Sequence, residues 1–271
     1  MYTDRDFKQK IKYVAPLISN GSLSLQIDYE GTQCDARRDG EIKENPTMRI
    51  WWEGRRYAHM LTRELISFGK IEQKIKQKGE ILEVLNYKQE LDEKNALMNS
   101  ECGYSDEIRM KTQAFVHNDY NVIAISKTFE TDNILDYEFK YRICSKKCID
   151  EIPEFMTYEI VEKDGKSISI NYNVKGQFDY RGRIIILADE NSEISVENNV
   201  FCFKSTINGS KKLNYYIIFC DNVEFEDYEI QAKSIRPFII SEKYDGIRKT
   251  HTDKWNEYHG IDVQRDIPGK R

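Results

Sequence analysis

The chain has 271 residues, of which 39% are hydrophobic and 32% are charged, and its formal net charge at pH 7 is −5. Its lysines and arginines are interspersed with acids, so it lacks the clustered positive charge that nucleic acid requires, and nucleic acid is excluded as a main partner. No apolar run reaches the roughly 18–20 residues of a membrane-spanning helix, and the first residues lack the apolar core of a secretion signal, so we expect a cytoplasmic protein without membrane contact.

Strand patterns dominate the chain from its first turn at 19–21 onward. Alternating or short apolar runs cover 23–29, 48–52, 65–75, 81–91, 96–104, 108–116, 122–126, 137–143, 168–174, 183–188, 200–203 and 214–220. Glycine, asparagine and aspartate fill most connections, and Lys78-Gly79-Glu80 is typical of a hairpin turn. So many strands exceed a simple seven-stranded sandwich. The sequence therefore predicts an all-β domain over residues 1–240, built as two large packed antiparallel sheets.

The pattern changes near Ser241, where a helical period begins. Five residues recur at steps of three or four and would form one stripe on a helix: Tyr244, Ile247, His251, Trp255 and Tyr258. An aromatic stripe of this kind must bury against another surface. We therefore predict a second unit over residues 241–271, in which a helix and a tail lead away from the sheets.

Residues with the spacing of a catalytic or metal site are not found. Among the 46 Asp and Glu residues no short spacing selects a carboxylate pair, and no GxSxG, P-loop or GxGxxG motif occurs. Cys144 and Cys148 form the one close cysteine pair, without a second pair nearby to complete a zinc site. Cys202 and Cys220 lie in apolar runs and are expected to be core thiols. We predict no catalytic residue, no metal and no cofactor in this chain.

One aromatic cluster suits a sugar ligand. Trp51 and Trp52 are adjacent, and Arg55 and Arg56 follow closely. Because neighbouring residues of a strand point to opposite faces, one tryptophan can be buried while the other is exposed. Exposed rings stack on sugar faces while charged neighbours bind the hydroxyls. Two interpretations stay open: the four residues bind substrate, or one tryptophan fills the core and the other seals a contact between domains.

Three parts of the sequence carry a family resemblance. They are the opening 18–31, the central run 89–125, and the helix pattern His251-xxx-Trp255-xx-Tyr258. Together they resemble the N-terminal β-supersandwich domain of enzymes with an (α/α)6-barrel catalytic domain, namely glycoside hydrolase families 65, 94 and 95 and their relatives. At position 259 the chain has His where the family usually has an aromatic residue.

The resemblance implies a sandwich of the galactose-mutarotase-like superfamily that ends in a linker helix. It also implies that the catalytic carboxylates belong to a barrel of the same polypeptide. This chain alone would then be inactive, and the whole protein would be a glycosidase or glycoside phosphorylase acting on an oligo- or disaccharide. The five residues of the helix stripe would contact the barrel. The sandwich would shape the rim of the sugar cleft and, as in several relatives, take part in a homodimer contact.

Two further interpretations rest on the residues alone. The tryptophan cluster and the 12% aromatic content favour a complete carbohydrate-binding or interaction module. A sandwich enzyme of the sugar-epimerase type would need His and Glu on one concave sheet, for which His117 is the sole candidate at a strand end. The sequence selects neither the sugar and its linkage nor the acceptor, water or phosphate.

Overall fold

The computed structural model describes residues 2–3, 15–33, 37–38, 41–42, 50–52, 66–143, 156–174, 180–222 and 226–262. Within these ranges the strands are antiparallel and fall into two large sheets and one small pair, and a helix follows them. This architecture confirms the predicted all-β sandwich with a C-terminal helix.

The first large sheet has nine strands. In spatial order they are β1 (Tyr2–Thr3), β9 (Asn86–Asp92), β10 (Leu97–Ser105), β11 (Ile108–Val116), β12 (Val122–Glu130), β19 (Lys211–Asp221), β16 (Tyr180–Ala188), β15 (Ser167–Val174) and β14 (Met156–Lys163). Strands β9 to β12 form an uninterrupted meander, as the alternation in the central run predicts. Apolar β16 and β19 lie near the middle of the sheet, where both faces can be covered.

The second large sheet has eight strands. In spatial order they are β17 (Glu193–Glu197), β18 (Val200–Asn208), β13 (Ile134–Ile143), β7 (Ile66–Gln77), β6 (Ile50–Trp52), β3 (Ser24–Gln26) and β2 (Leu17–Ser19), and β8 (Glu80–Ile81) pairs with β7. A separate pair contains β4 (Arg37–Arg38) and β5 (Glu41–Ile42). The turn between β7 and β8 lies at Lys78-Gly79, where both φ angles are positive, at 51° and 86°, which is the backbone of a two-residue hairpin turn.

The core lies between the two large sheets. Phe139 of β13 stacks on Tyr215 of β19 with ring centroids 4.1 Å apart, and Phe129 of β12 meets Tyr137 of β13 edge-on at 5.0 Å. All four side chains are buried, at 1% exposure or less. Aromatic rings from facing sheets thus meet directly, which is why the alternating residues of β13 are buried on one side only.

The helix α1 spans Tyr228–Asp262 and begins earlier than the start near Ser241 that the aromatic stripe indicated. The Asp227 carboxylate caps it, because Oδ1 accepts hydrogen bonds from the backbone N–H groups of Glu229 (3.0 Å) and Ile230 (3.1 Å). Pro237 lies inside the helix, a position that normally argues against helical structure and so hides the first turns from sequence reasoning.

Lys243 divides α1 into two segments, because its φ of 53° and ψ of −174° are not helical. The first segment runs from Tyr228 to Lys243 and the second from Tyr244 to Asp262. None of the described helical residues forms a stretch that is long and apolar enough to cross a membrane. The division of the chain into units 1–240 and 241–271 stays a prediction.

Candidate functional site

The outer face of the nine-stranded sheet has an apolar half and a polar half. The apolar half is a cluster of alternate strand residues that α1 covers: Leu97, Phe115, Val122, Ala124, Ile185, Leu187, Tyr216, Ile218 and Cys220. The helix contributes Ala232, Ile235, Ile239, Tyr244 and Ile247 to the same cluster. Strands that are covered on both faces need apolar residues at every position, which explains the continuous apolar runs in β16 and β19.

The second segment of α1 is fastened to this face by ring contacts and hydrogen bonds. His251 stacks on Phe115 with centroids 4.5 Å apart, and its Nε2–H donates to the carbonyl of Ala96 at 3.2 Å. The Tyr244 hydroxyl donates to the Gln113 carbonyl at 3.0 Å. Each bond satisfies a polar group that docking removes from water, so the position of the segment on the sheet is closely specified.

The predicted helix stripe is covered by the sheet of its own chain over most of its length. Tyr244, Ile247 and His251 are at most 2% exposed. Trp255 is partly buried and donates from Nε1 to the Glu93 carbonyl at 3.0 Å. Tyr258 is 56% exposed. The chain folds back directly after β19, so the sheet itself is the partner of the three buried residues. Contact with a second domain stays a prediction, which Tyr258 and the exposed part of Trp255 could still fulfil.

An open groove of about 380 Å³ lies beside the second segment of α1, on the polar half of the same face. Its lining side chains are polar or charged and include Lys88, Glu90, Asn99, Glu101, Lys111, Gln113, Thr128, Lys212, Tyr244, Asp245 and Arg248. We call it the helix-side groove. Strands β9 to β12 form its floor, because every second residue of these strands points outward while the residues between them point into the core of the sandwich.

The helix-side groove offers hydrogen-bonding groups in fixed positions. The Gln113 amide donates to Asn99 Oδ1 at 2.8 Å. On the helix side, Asp245 Oδ1 lies 3.5 Å from Lys212 Nζ and 3.6 Å from Arg248. Such an arrangement can bind the hydroxyls of a polar ligand. The described residues contain no group of three His, Cys, Asp or Glu placed to hold a metal ion.

His117 follows β11 and is fully buried beneath α1. Its Nδ1 accepts a hydrogen bond from the backbone N–H of Asp119 at 3.1 Å, and its Nε2–H donates to Thr250 Oγ1 at 3.0 Å. Burial, and secondarily the neighbouring His251, lower its pKa from 6.5 to about 4. A closed, fully hydrogen-bonded imidazole cannot act on a sugar over a concave sheet, so the epimerase interpretation loses its one histidine.

A second polar cluster, which sequence reasoning missed, lies inside the sandwich around the turn 28–33. Asp28 is 1% exposed, and its carboxylate accepts hydrogen bonds from the backbone N–H groups of Glu30 (3.0 Å) and Thr32 (2.8 Å). Lys127 is fully buried on β12 and donates from Nζ to the Glu30 carbonyl. The sequence does contain one sign of this cluster, because the alternation in β12 places the charged Lys127 on the same side of the strand as the core residues Ile125 and Phe129.

Glu30 completes the buried cluster. Its carboxylate accepts hydrogen bonds from the Tyr104 hydroxyl at 2.8 Å and the Gln73 amide at 3.2 Å. Burial is the main cause that raises its pKa, and the charge of Asp28 adds to it, whereas Lys127 and the hydrogen bonds oppose the rise. These groups hold the opening turn between the sheets, so the cluster has a structural role.

The tryptophan cluster lies partly outside the described residues. Trp51 and Trp52 lie in β6, next to β3 and β7, and their side chains are outside the described residues. Arg55 and Arg56 also fall outside the described residues. Their predicted role in sugar binding stays a prediction.

The described cysteines Cys102, Cys202 and Cys220 are buried. Cys220 belongs to the apolar cluster under α1, which confirms its expected core position, whereas Cys202 lines a polar groove of the eight-stranded sheet beside Glu138 and Lys140. Burial raises the pKa of the Cys102 thiol well above its usual value, and its Sγ–H donates to the Tyr29 carbonyl at 3.1 Å. Cys144 and Cys148 lie outside the described residues.

Comparison with known proteins shows similarity in structure. No family model matches the sequence, and no curated protein matches it. Among solved structures, a protein from the human microbiome that is named as a kojibiose phosphorylase matches with a TM-score of 0.62 and 12% sequence identity. The match covers 93% of this chain and 36% of that protein, so the chain spans about a third of the neighbour's length. At this identity the match shows a shared fold.

Proposed function

We propose that this chain is the non-catalytic N-terminal domain of a carbohydrate-active enzyme, a glycosidase or glycoside phosphorylase. In that enzyme it packs on an (α/α)6 catalytic barrel of the same polypeptide and shapes the rim of its sugar cleft. The observation that carries the proposal is the coverage of the structural match: nearly the whole chain, 93%, corresponds to 36% of a protein named as a phosphorylase. A cytoplasmic location and a homodimer contact through the sandwich belong to the same proposal.

The motifs of the sequence support the proposal independently of the structural match. The opening 18–31 and the central run 89–125 resemble the sandwich domain of these enzymes, and both lie in the core of the observed fold. The opening forms the buried turn around Glu30, and the central run forms the meander β9 to β12.

The end of α1 supplies a surface for a second domain. The helix stripe ends at Tyr258, which is 56% exposed. Trp255 holds this end of the helix in place through its bond to the Glu93 carbonyl. Tyrosine and tryptophan are enriched at interfaces, because one end of each side chain is apolar and the other can form hydrogen bonds. The helix-side groove lies along the same segment, where its polar groups would line the rim of an adjoining cleft.

The proposal assigns no catalytic role to the acids of this chain. Hydrolysis of a glycoside needs two carboxylates about 5–10 Å apart that both reach the sugar. Asp245 in the groove is near two cations, Lys212 and Arg248. Glu30 has the raised pKa of a general acid, but it lies inside the sandwich and is hydrogen-bonded to Tyr104. The proposal therefore assigns catalysis to another part of the polypeptide.

The proposal is tested in the natural protein that contains this chain. Its turnover of kojibiose and other glucosyl disaccharides is measured with phosphate and with water alone, before and after the double substitution W255A/Y258A. We expect the substitution to lower kcat/KM or to separate the domains in limited proteolysis. The matched control is Ile230→Ala, since Ile230 is 64% exposed on the first segment of α1. Unchanged turnover and an unchanged digestion pattern in W255A/Y258A would contradict the proposed contact, and turnover by residues 1–271 alone would contradict the non-catalytic role.

A second candidate function is a carbohydrate-binding or interaction module that works on its own. The adjacent Trp51 and Trp52 in β6 favour it. Calorimetry of this chain against a panel of oligosaccharides tests it, with W51A and W52A as the matched variants. Binding that both substitutions abolish would support the module. No binding at about 1 mM ligand, the weak end of specific affinity, would remove it.

A further inference from the structure

Two buried imidazoles face each other across the junction between the nine-stranded sheet and the second segment of α1. His117 belongs to the turn after β11 and His251 to the helix, and their ring centroids are 5.8 Å apart. Both are at most 1% exposed. His251 stacks on Phe115, and His117 contacts the ring of Tyr120 at 4.9 Å. Undocking of the helix would therefore expose both histidines to water together.

The hydrogen bonds of His117 require its neutral form. The backbone N–H of Asp119 points at Nδ1, so Nδ1 must carry a lone pair and not a proton. Nε2 carries the ring proton and donates to Thr250 Oγ1, whose own hydroxyl donates to the Ile247 carbonyl at 2.9 Å. A second proton on Nδ1 would face the amide hydrogen of Asp119. Protonation thus breaks the bond within the turn that orients the ring, whereas the Nε2–H bond to Thr250 of the helix is kept.

The surrounding charges give neither imidazolium a partner. Asp119, from the same turn, acts electrostatically on Lys254 of the helix, and Arg248 of the helix is near Asp245 in the groove. Among the described residues no carboxylate is hydrogen-bonded to either ring. Each ring also lies beside the other histidine, so the two rings would repel each other in a buried site if both were charged.

We propose that protonation of His117 and His251 releases the second segment of α1 from the sheet, so that helix docking is sensitive to acid. Burial lowers the pKa of His251 against the opposing effect of its bonds to the Ala96 and Asn95 carbonyls. The pKa of His117 falls from 6.5 to about 4 on docking. A base with a lowered pKa favours the docked state fully above pH 6.5, and this advantage is lost as the pH falls from 6.5 to about 4.

The size of the effect follows from this window. Each pH unit below the undocked pKa shifts the docking equilibrium tenfold until the docked pKa is reached. For His117 alone, the interval from 6.5 to about 4 corresponds to a roughly 300-fold weaker docking equilibrium. Release of the segment would also remove Tyr258 from its fixed position. Weaker contact of Tyr258 with a second domain would follow, and this consequence rests on the proposed function. The acid-sensitive docking of the helix does not rest on it.

Hydrogen exchange read by mass spectrometry tests the proposal on residues 1–271. Protection of peptides from Tyr244–Asp262 is compared with that of β11 and β12 between about pH 7 and about pH 4, after correction for the intrinsic exchange rate. We expect the helix peptides to lose protection by up to about 300-fold while the strands keep theirs. In H117Q/H251Q the helix protection should not change over this interval, and H59Q/H259Q, which removes the other two histidines, should behave like the wild type.

Wild-type helix protection that is constant with pH would overturn the proposal, as would an equal loss in H117Q/H251Q. If H117Q/H251Q does not dock at neutral pH, imidazole titration by NMR in the wild type decides. A pKa near 4 for His117, with release of the helix over the same pH range, supports the proposal. An ordinary pKa near 6.5 overturns it.

Discussion

Replacement of Gly31 by alanine tests whether the opening turn is buried between the sheets. Gly31 has a φ of +72°, and a Cβ at this position would collide with Thr112 Cγ2 and lie 2.7 Å from Lys127 Nζ. Thr112 and Lys127 are both buried in the nine-stranded sheet, at 3% and 0% exposure. Lys127 cannot move aside without disturbing the polar cluster around Glu30, to whose carbonyl it donates. We expect Gly31→Ala to destabilise the fold by two separable effects.

The magnitude follows from those two effects. A positive φ costs a non-glycine residue roughly 1–2 kcal/mol. An extra methyl group in a closely packed interior adds about 1–3 kcal/mol. Alanine also restricts the unfolded chain, which offsets about 0.4–1 kcal/mol. The net loss in the free energy of unfolding should be about 2–4 kcal/mol, a large fraction of the roughly 5–15 kcal/mol of a typical domain.

Gly21→Ala is the matched control, because Gly21 has a φ of +89° and nothing lies within 4 Å of a Cβ there. Urea-induced unfolding of both variants, followed by far-UV circular dichroism, gives their free energies of unfolding. The backbone effect and the unfolded-state effect are common to both, so the difference between the variants isolates the steric effect, which should be about 1–3 kcal/mol. Equal losses in the two variants would refute the buried position of the turn.

Two further substitutions probe α1. Lys243→Gly should raise the free energy of unfolding by about 1 kcal/mol, because glycine adopts a φ of 53° without strain; a lower thermal midpoint than wild type would contradict this. Tyr244→Phe should lower it by about 1–2 kcal/mol, since the buried hydroxyl donates to the Gln113 carbonyl; an unchanged urea midpoint would show that this bond does not contribute to docking.

The sandwich could be predicted because its strands alternate cleanly. In β13 the buried residues Tyr137, Phe139 and Tyr141 are separated by polar ones, so the period of two identifies both the strand and its inner face. The turn at Lys78-Gly79 was predictable for a similar reason, because glycine supplies the positive φ of a hairpin.

The position of α1 could not be predicted because it depends on a long-range contact. The stripe through Tyr244 and His251 shows that one helix face is buried, but the period is the same whether a second domain or the chain's own sheet covers it. Phe115 and Leu97, which receive the helix, alternate in the sequence with core residues and read as ordinary strand positions. Distinguishing the two cases requires the three-dimensional path of the chain after β19.

The buried polar cluster was hidden for a related reason. Lys127 and Asp28 are charged residues that normally lie at the surface. Lys127 is stabilised by the Glu30 carbonyl, which is distant in sequence, and Asp28 by backbone N–H groups of its own turn, which the fold then buries between the sheets. His117 is a similar case: its position at a strand end is visible in the sequence, whereas its bond to Thr250 depends on helix docking. Polar networks of this kind are determined by tertiary structure and leave little local pattern.

The central claim is that this chain is one domain of a larger carbohydrate-active enzyme. Reading the natural coding sequence beyond the codon for Arg271 tests it most directly. The account predicts that the frame continues into a long helical region with paired apolar helices and a candidate catalytic carboxylate, as an (α/α)6 barrel requires. A stop codon directly after Arg271 would contradict it and would direct attention to sugar binding at Trp51 and Trp52.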